Sequence, residues 1–383
     1  AGELPAEERE ILDPETWRSF GRRASEAIRP FVQQPLIDGY WPKVLARTEA
    51  GVRPAIALAQ ARRQVEGEWG AGTWELPLSA TCGFRSFAWF LGDVLSKLPC
   101  FWACYNSALA EYRVRYGVRS KHHPVPALIE QDNWIEAPFW VWSSARPQRK
   151  RLFARRSGDV LTLTDREDWW AEIPLVADGD PAPGVAALEQ LFADGVKFRT
   201  RALTTTMWAR LLLGDLFIHG LGGAKYDRLT DVVLQRFWGV TPPAFYAVTA
   251  TWRLPSSPAK PTLAPSAIQH LLRELEYNPQ RRIDEVLNGD PVAAAEIHRL
   301  AAEKQRWIDE PKTDANARQR HVEINRINAA LKPWMAPVRE RLLNQRSEVQ
   351  QDQQTASVLG WREYAFALHE TSALKQFLTG LAQ

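Results

Sequence analysis

His219, Lys225, Tyr226 and Asp227 stand within nine positions of one another, interleaved with Gly220, Gly222 and Gly223. No other stretch of the 383 residues gathers as many reactive side chains beside residues with glycine's backbone freedom. A histidine with an ordinary pKa near 6.5 can act as a base or donate to an anion. Lys225 can neutralise a polyphosphate or a developing oxyanion, and Asp227 can hold an amine or a sugar hydroxyl. Backbone amides from 220 to 225, followed by a helix start near Tyr226, would cradle a phosphate or carboxylate. A tight turn with Lys225 and Asp227 as solvated capping residues is the plainer alternative. Four reactive types around three glycines exceed what a turn needs. The spacing is neither GxGxxG nor GxxxxGK[ST], so neither the dinucleotide fingerprint nor the Walker loop applies.

A second group lies just upstream. Arg199, Arg201, Thr204, Thr205 and Thr206 precede an expected helix, and hydroxyls near a helix start suit an oxyanion. Capping by one threonine, with the arginines on the surface, is the alternative. Asp215 precedes a short expected strand and offers a second carboxylate. Arg119 and His123 sit in a proline-stiffened loop, RVRYGVRSKHHPVPAL, suited to binding a carboxylate. His122 and His123 are adjacent and point apart, and no HExxH or paired-cysteine spacing exists, so no metal site is identified. There is no GxSxG, and the three cysteines have no evident base. The run ARPQRKRLFARR, residues 145–156, holds six basic residues in twelve and suits phosphates. Without a recognition helix, an aromatic strand or a zinc module beside it, it reads as a basic hairpin surface, and nucleic acid ranks below a small molecule as partner.

The elements that must position these groups alternate. Apolar residues at three- to four-residue spacing predict helices over about 52–70, 83–98 and 101–116. APFWVWS, RLFARRSG and DVLTLTD read as strands. From Thr204 the pattern runs helix, short strand, glycine loop, helix and strand FYAVTAT. This alternation predicts an α/β fold with a mostly parallel, Rossmann-like sheet and inserted helices. The expected organisation is a body over 1–251, a proline-rich linker over 252–265, an antiparallel helical hairpin of coiled-coil type over 266–345, and a segment over 346–383 docking back on the body. A net charge of +3 supports no nucleic-acid partner by itself. No apolar run reaches bilayer length, the opening residues resemble neither a signal nor a transit peptide, and three cysteines suggest a reducing compartment. These point to a cytoplasmic protein without a membrane partner.

Gly222-Gly223-Ala224-Lys225-Tyr226 and the helix end and turn Phe237–Pro242, FWGVTP, carry a resemblance. Residues 198–243 resemble the cysteine-adding enzyme family of bacillithiol biosynthesis, which has a Rossmann-like core and a projecting coiled coil. The resemblance implies a ligase or transferase joining a small amine or amino acid to a small acceptor, with ATP or ADP as the implied nucleotide. In that scheme His219 is base or oxyanion partner, Lys225 and Arg199 hold negative charge, Thr205 and Thr206 position the acceptor, and Asp227 or Asp215 holds the amine. Lys225 stands where the family has glutamate, which reverses the sign of that contact. The family's glycine-rich first strand has no counterpart here, which implies a missing N-terminal portion or a separate partner polypeptide. A homo-oligomer is also expected. The alternatives are a non-enzymatic scaffold using the hairpin and an RNA-associated factor using the basic run.

Overall fold

The computed structural model describes residues 4–174, 180, 182–255, 263–287 and 291–380. They form two units, one of residues 1–251 with 366–383 and the other of residues 252–365.

The first unit opens with a single 3-10 turn, Ala6–Glu8, and six helices: α1 (Pro14–Ile28), α2 (Ile37–Glu49), α3 (Pro54–Glu68), α4 (Leu78–Thr81), α5 (Arg85–Ser96) and α6 (Leu98–Arg115). The Asp13 side chain caps α1 by accepting from the amides of Glu15 and Thr16 at 3.1 and 3.0 Å, with proline in the first turn. Strands β1 (Glu130–Gln131), β2 (Trp134–Ser143), β3 (Arg146–Ser157), β4 (Val160–Thr164) and β5 (Trp170–Pro174) follow in order. Next come α7 (Ala182–Ala193), β6 (Val196–Thr200), α8 (Ala202–Trp208) and a π turn, Ala209–Leu213. Then β7 (Phe217–Gly220), α9 (Leu221–Trp238) and β8 (Phe245–Val248) complete the body.

The expected Rossmann-like parallel sheet is not what the chain builds. Strands β1 to β6 form one sheet in which every pairing is antiparallel, with β3 on one side of β2 and β6 on the other. β2 to β5 are joined by short turns, and hairpins give antiparallel pairs, whereas parallel neighbours need a crossover of a dozen or more residues. Asp132 and Asn133, between β1 and β2, both take positive φ (54° and 63°), as tight hairpin turns require. Only β7 and β8 pair in parallel among the described residues, joined by α9. They form a separate two-stranded ribbon whose Ile218, Tyr246 and Val248 are exposed.

Alternation sorts the sheet's two faces. Ala137, Phe139 and Val141 of β2, Leu152 and Ala154 of β3, and Phe198 of β6 turn into a core shared with α5 to α9. Phe87 and Phe90 of α5 meet Phe139 and Trp208 edge-on or tilted at 5.4–6.2 Å between centroids. The opposite face receives Trp134, Glu136, Trp140 and Trp142 of β2. Cys82 is buried, Cys104 half-buried and Cys100 exposed.

The second unit contains α10 (Pro265–Tyr277), a 3-10 segment Pro279–Glu285, α11 (Pro291–Asp309), α12 (Ala317–Leu331) and α13 (Ala336–Leu359). A single projecting hairpin over 266–345 is therefore replaced by four α-helices with two small cores. Ile268 and Leu275 of α10 pack with Val338, Leu342 and Val349 of α13, while Ile297 and Leu300 of α11 pack with Ile327 and Leu331 of α12. α13 continues unbroken through residue 345. Lys304, 1% exposed, donates to the carbonyl of Tyr277 at 2.7 Å and to Gln280 Oε1 at 2.6 Å, tying α11 to the end of α10. Half of the expected linker, residues 256–262, lies outside the described residues. In the first unit, α14 (Thr371–Gly380) buries Leu374 with Trp41 and Val44 of α2.

Candidate functional site

The glycine segment is helical earlier than its sequence implies. α9 begins at Leu221, with Gly220 as its N-cap and no side-chain cap, so the expected cradle of loop amides from 220 to 225 shrinks to one open helical turn. Gly222 faces open space, whereas a Cβ on Gly223 would stand 1.6 Å from the His219 ring. Glycine at 223 is what lets the ring lie on the helix. That ring sits among Phe217, Tyr226 and Phe245 at 5.2, 6.0 and 6.5 Å between centroids, with Nε2 buried and unpartnered. Lys225 is exposed, and its carbonyl accepts from the Tyr112 hydroxyl at 3.4 Å. Tyr226 packs against the core, and Asp215 is exposed ahead of β7.

Asp227 is not available to a substrate. It is fully buried, and its Oδ2 accepts from Arg210 Nη1 at 2.7 Å. Arg210, 3% exposed in the π turn, also donates to Asp231 Oδ1 at 2.6 Å and to the carbonyl of Pro243, and its guanidinium lies 4.9 Å from the Phe245 ring centroid. The network clamps the π turn to α9 and to the approach to β8.

The three threonines are likewise consumed by structure. Thr204 Oγ1 accepts from the Arg201 amide at 2.8 Å and donates to the Pro138 carbonyl at 2.8 Å. Thr205 Oγ1 lies 2.8 Å from the Arg201 carbonyl and 2.7 Å from Thr200 Oγ1. Thr206 donates to the Leu203 carbonyl at 2.9 Å. They fasten the start of α8 to β2 and β6. Arg119 and His123 are exposed in a separate loop, which Arg113 holds by donating to the carbonyls of Lys121, His123 and Val125 at 2.7–3.2 Å.

Arg199 and Arg201 belong to a different assembly, on the face of the antiparallel sheet away from the core. Directly opposed residues share a face. Trp140 opposes Arg151 of β3 and Arg199 of β6, Trp142 opposes Lys197, and Glu136 opposes Phe153. Arginines stack on the tryptophans of β2. Arg149 and Arg201 lie 4.6 and 4.3 Å from the Trp140 centroid, Arg155 lies 4.5 Å from that of Trp134, and Arg199 lies 5.3 Å from that of Trp142. Each such contact is worth about 0.5–2 kcal/mol, depending on exposure.

One carboxylate organises the centre. Glu136, 1% exposed, accepts from Arg201 Nη1 at 2.7 Å and from the Ile129 amide at 3.0 Å, and has Arg151 Nε at 3.7 Å. Arg201 Nε and Nη2 are buried without a partner, unusual for guanidinium donors. Arg151 and Arg155 are exposed at the surface of the face. The sequence reading missed Trp134, Glu136, Trp140, Arg149, Arg151 and Arg155 as a set. The available signal was period two: the tryptophans and Glu136 occupy even positions of β2, while Arg149, Arg151 and Arg155 occupy odd positions of β3.

Among the described residues no group of three or more His, Cys, Asp or Glu side chains is placed to hold a metal ion, and no helix is long and apolar enough to cross a membrane. The Rossmann-like core implied by the family resemblance is not what the chain builds, because the six-stranded sheet is antiparallel and Gly222 and Gly223 lie in the first turn of a helix. No protein-family model and no curated protein matches this chain.

Proposed function

We propose that the Arg–Trp face binds single-stranded nucleic acid. The observation that carries the reading is the pair of guanidinium groups, Arg149 and Arg201, at 4.6 and 4.3 Å from the Trp140 ring centroid, set beside the exposed Arg151 and Arg155. A cationic surface that tracks a phosphate backbone, combined with planar groups on which bases stack, is the general solution for single strands. Guanidinium planes serve as stacking platforms as aromatic rings do. The basic run 145–156 lies largely on β3, which pairs with the aromatic strand β2. The site favours backbone charge and stacking over base-edge readout, so binding is expected to be tolerant of sequence.

Fluorescence anisotropy with a labelled oligouridylate tests this. Affinity should fall steeply between about 50 and 200 mM salt, and the double substitution R151A/R155A should weaken binding and flatten that dependence. Absence of binding at the lower salt, or an unchanged salt dependence in the double variant, overturns the proposal.

A further inference from the structure

At one end of the Arg–Trp face an anion site is already built and filled from within the chain. Glu7 and Glu8, in the 3-10 turn Ala6–Glu8, reach onto β6 and β2. Arg199 grips the Glu7 carboxylate with a two-pronged fork, Nε to Oε1 at 2.9 Å and Nη2 to Oε2 at 3.0 Å. Glu8 Oε1 accepts from the Trp142 indole at 3.1 Å and from Lys197, while its Oε2 accepts from Arg53. Arg199 is the residue opposite Trp140 in the β2–β6 register, so this cluster is the next step of the same face.

We propose that Arg199, Lys197, Arg53 and the Trp142 indole form a phosphate subsite of the nucleic-acid face, which the carboxylates of Glu7 and Glu8 occupy as ligand mimics and yield to the bound strand. The proposal rests on the nucleic-acid reading above. A guanidinium fork fits carboxylate and phosphate alike, and three cations against two carboxylates leave the cluster positive even when filled. The occupying turn is only three residues long, and residues 9–13 between it and α1 lie in no helix or strand. Its internal backbone bonds are few: the Glu8 amide to the Pro5 carbonyl at 2.9 Å and the Arg9 amide to the Ala6 carbonyl at 3.3 Å. Displacing so short a segment disrupts no long element, and an incoming phosphate would inherit its donors.

Two measurements on the full chain test the competition. In anisotropy with the oligouridylate, E7Q/E8Q should bind about three- to tenfold more tightly than the unmodified protein, since each 1.4 kcal/mol of lost competition is tenfold. Hydrogen–deuterium exchange on the unmodified protein guards against a variant that folds poorly: adding the oligouridylate should speed exchange of the Glu8 and Arg9 amides while protecting β2 and β3. If the oligouridylate binds the unmodified protein, the variant binds no tighter and those two amides exchange unchanged, the subsite is overturned and the face remains. If neither protein binds, the nucleic-acid reading falls and the subsite with it.

Discussion

Arg210 Nη1 and Asp227 Oδ2 meet at 2.7 Å with both side chains almost completely withdrawn from water. Asp227 is thereby a structural anchor and not a group waiting for an amine. Breaking a buried pair strands one charge and costs about 3–5 kcal/mol, whereas replacing both partners with apolar groups is far cheaper. D227N should therefore destabilise the first unit strongly, and R210M/D227L should be less destabilised than D227N or R210M alone. Chemical denaturation of the four proteins measures this; additive losses would show that the two residues do not act as a pair.

Gly222 and Gly223 are adjacent in sequence and opposite in consequence. A Cβ at 223 collides with the His219 ring, while one at 222 meets nothing within 4 Å. G223A should cost about 1–3 kcal/mol through overpacking and displace the imidazole, visible as a shifted His219 resonance in NMR. G222A should be neutral or stabilising by up to about 1 kcal/mol through helix propensity. Equal effects in thermal unfolding would contradict the packing described.

Lys304 gives the second unit a pH dependence. Burial, with help from the Arg281 charge, pulls its ammonium from 10.5 down to about 8. Between these values the unfolded chain holds a proton that the folded chain has released, so stability rises with pH across about 8 to 10.5. Below pH 8 both states are protonated and the cost of burying the charge is present in full. K304M should remove the rise and increase stability at pH 7, as followed by urea unfolding.

Glu8 acts in the opposite range. Burial raises its carboxyl pKa, but hydrogen bonds from Lys197, Trp142 and Arg53 outweigh that and hold it at about 2, against an ordinary 4.5. The stability it contributes is present above 4.5 and lost as pH falls towards 2. Acid titration of the unmodified protein should show this loss, and E8Q should flatten it in the same interval.

Much of the local structure was readable, and the way it assembles was not. The strands of 134–164 and the helix–strand–helix order after Thr204 follow from spacing and composition. Sheet direction does not, because the αβ alternation near 204–248 says nothing of β1 to β5, which are joined by short turns, the first of them made by the positive-φ residues Asp132 and Asn133. The candidate site failed for a related reason. Reactive types concentrate around three glycines at 219–227, yet Asp227 is buried with its Oδ2 committed to Arg210, and Thr204–Thr206 spend their hydroxyls on internal bonds. The Arg–Trp face joins residues some 60 positions apart, such as Trp140 and Arg201, and only strand register brings them together.

That register separates stacking from charge on the same face. Arg151 and Arg155 are exposed cations expected to meet phosphates, so R151A and R155A should each weaken oligouridylate binding and reduce the salt slope by about 1. Trp140 carries no charge and has the guanidinium carbons of Arg201 and Arg149 at 4.3 and 4.6 Å from its ring centroid. W140L should therefore weaken binding by about 1–3 kcal/mol, the range for a lost stacking platform, while leaving the salt slope nearly unchanged. Anisotropy titrations at several salt concentrations distinguish the two classes. If W140L instead lowered the slope as R151A does, Trp140 would matter only for holding its arginines in place, and the bases would have to find their stacking surface elsewhere.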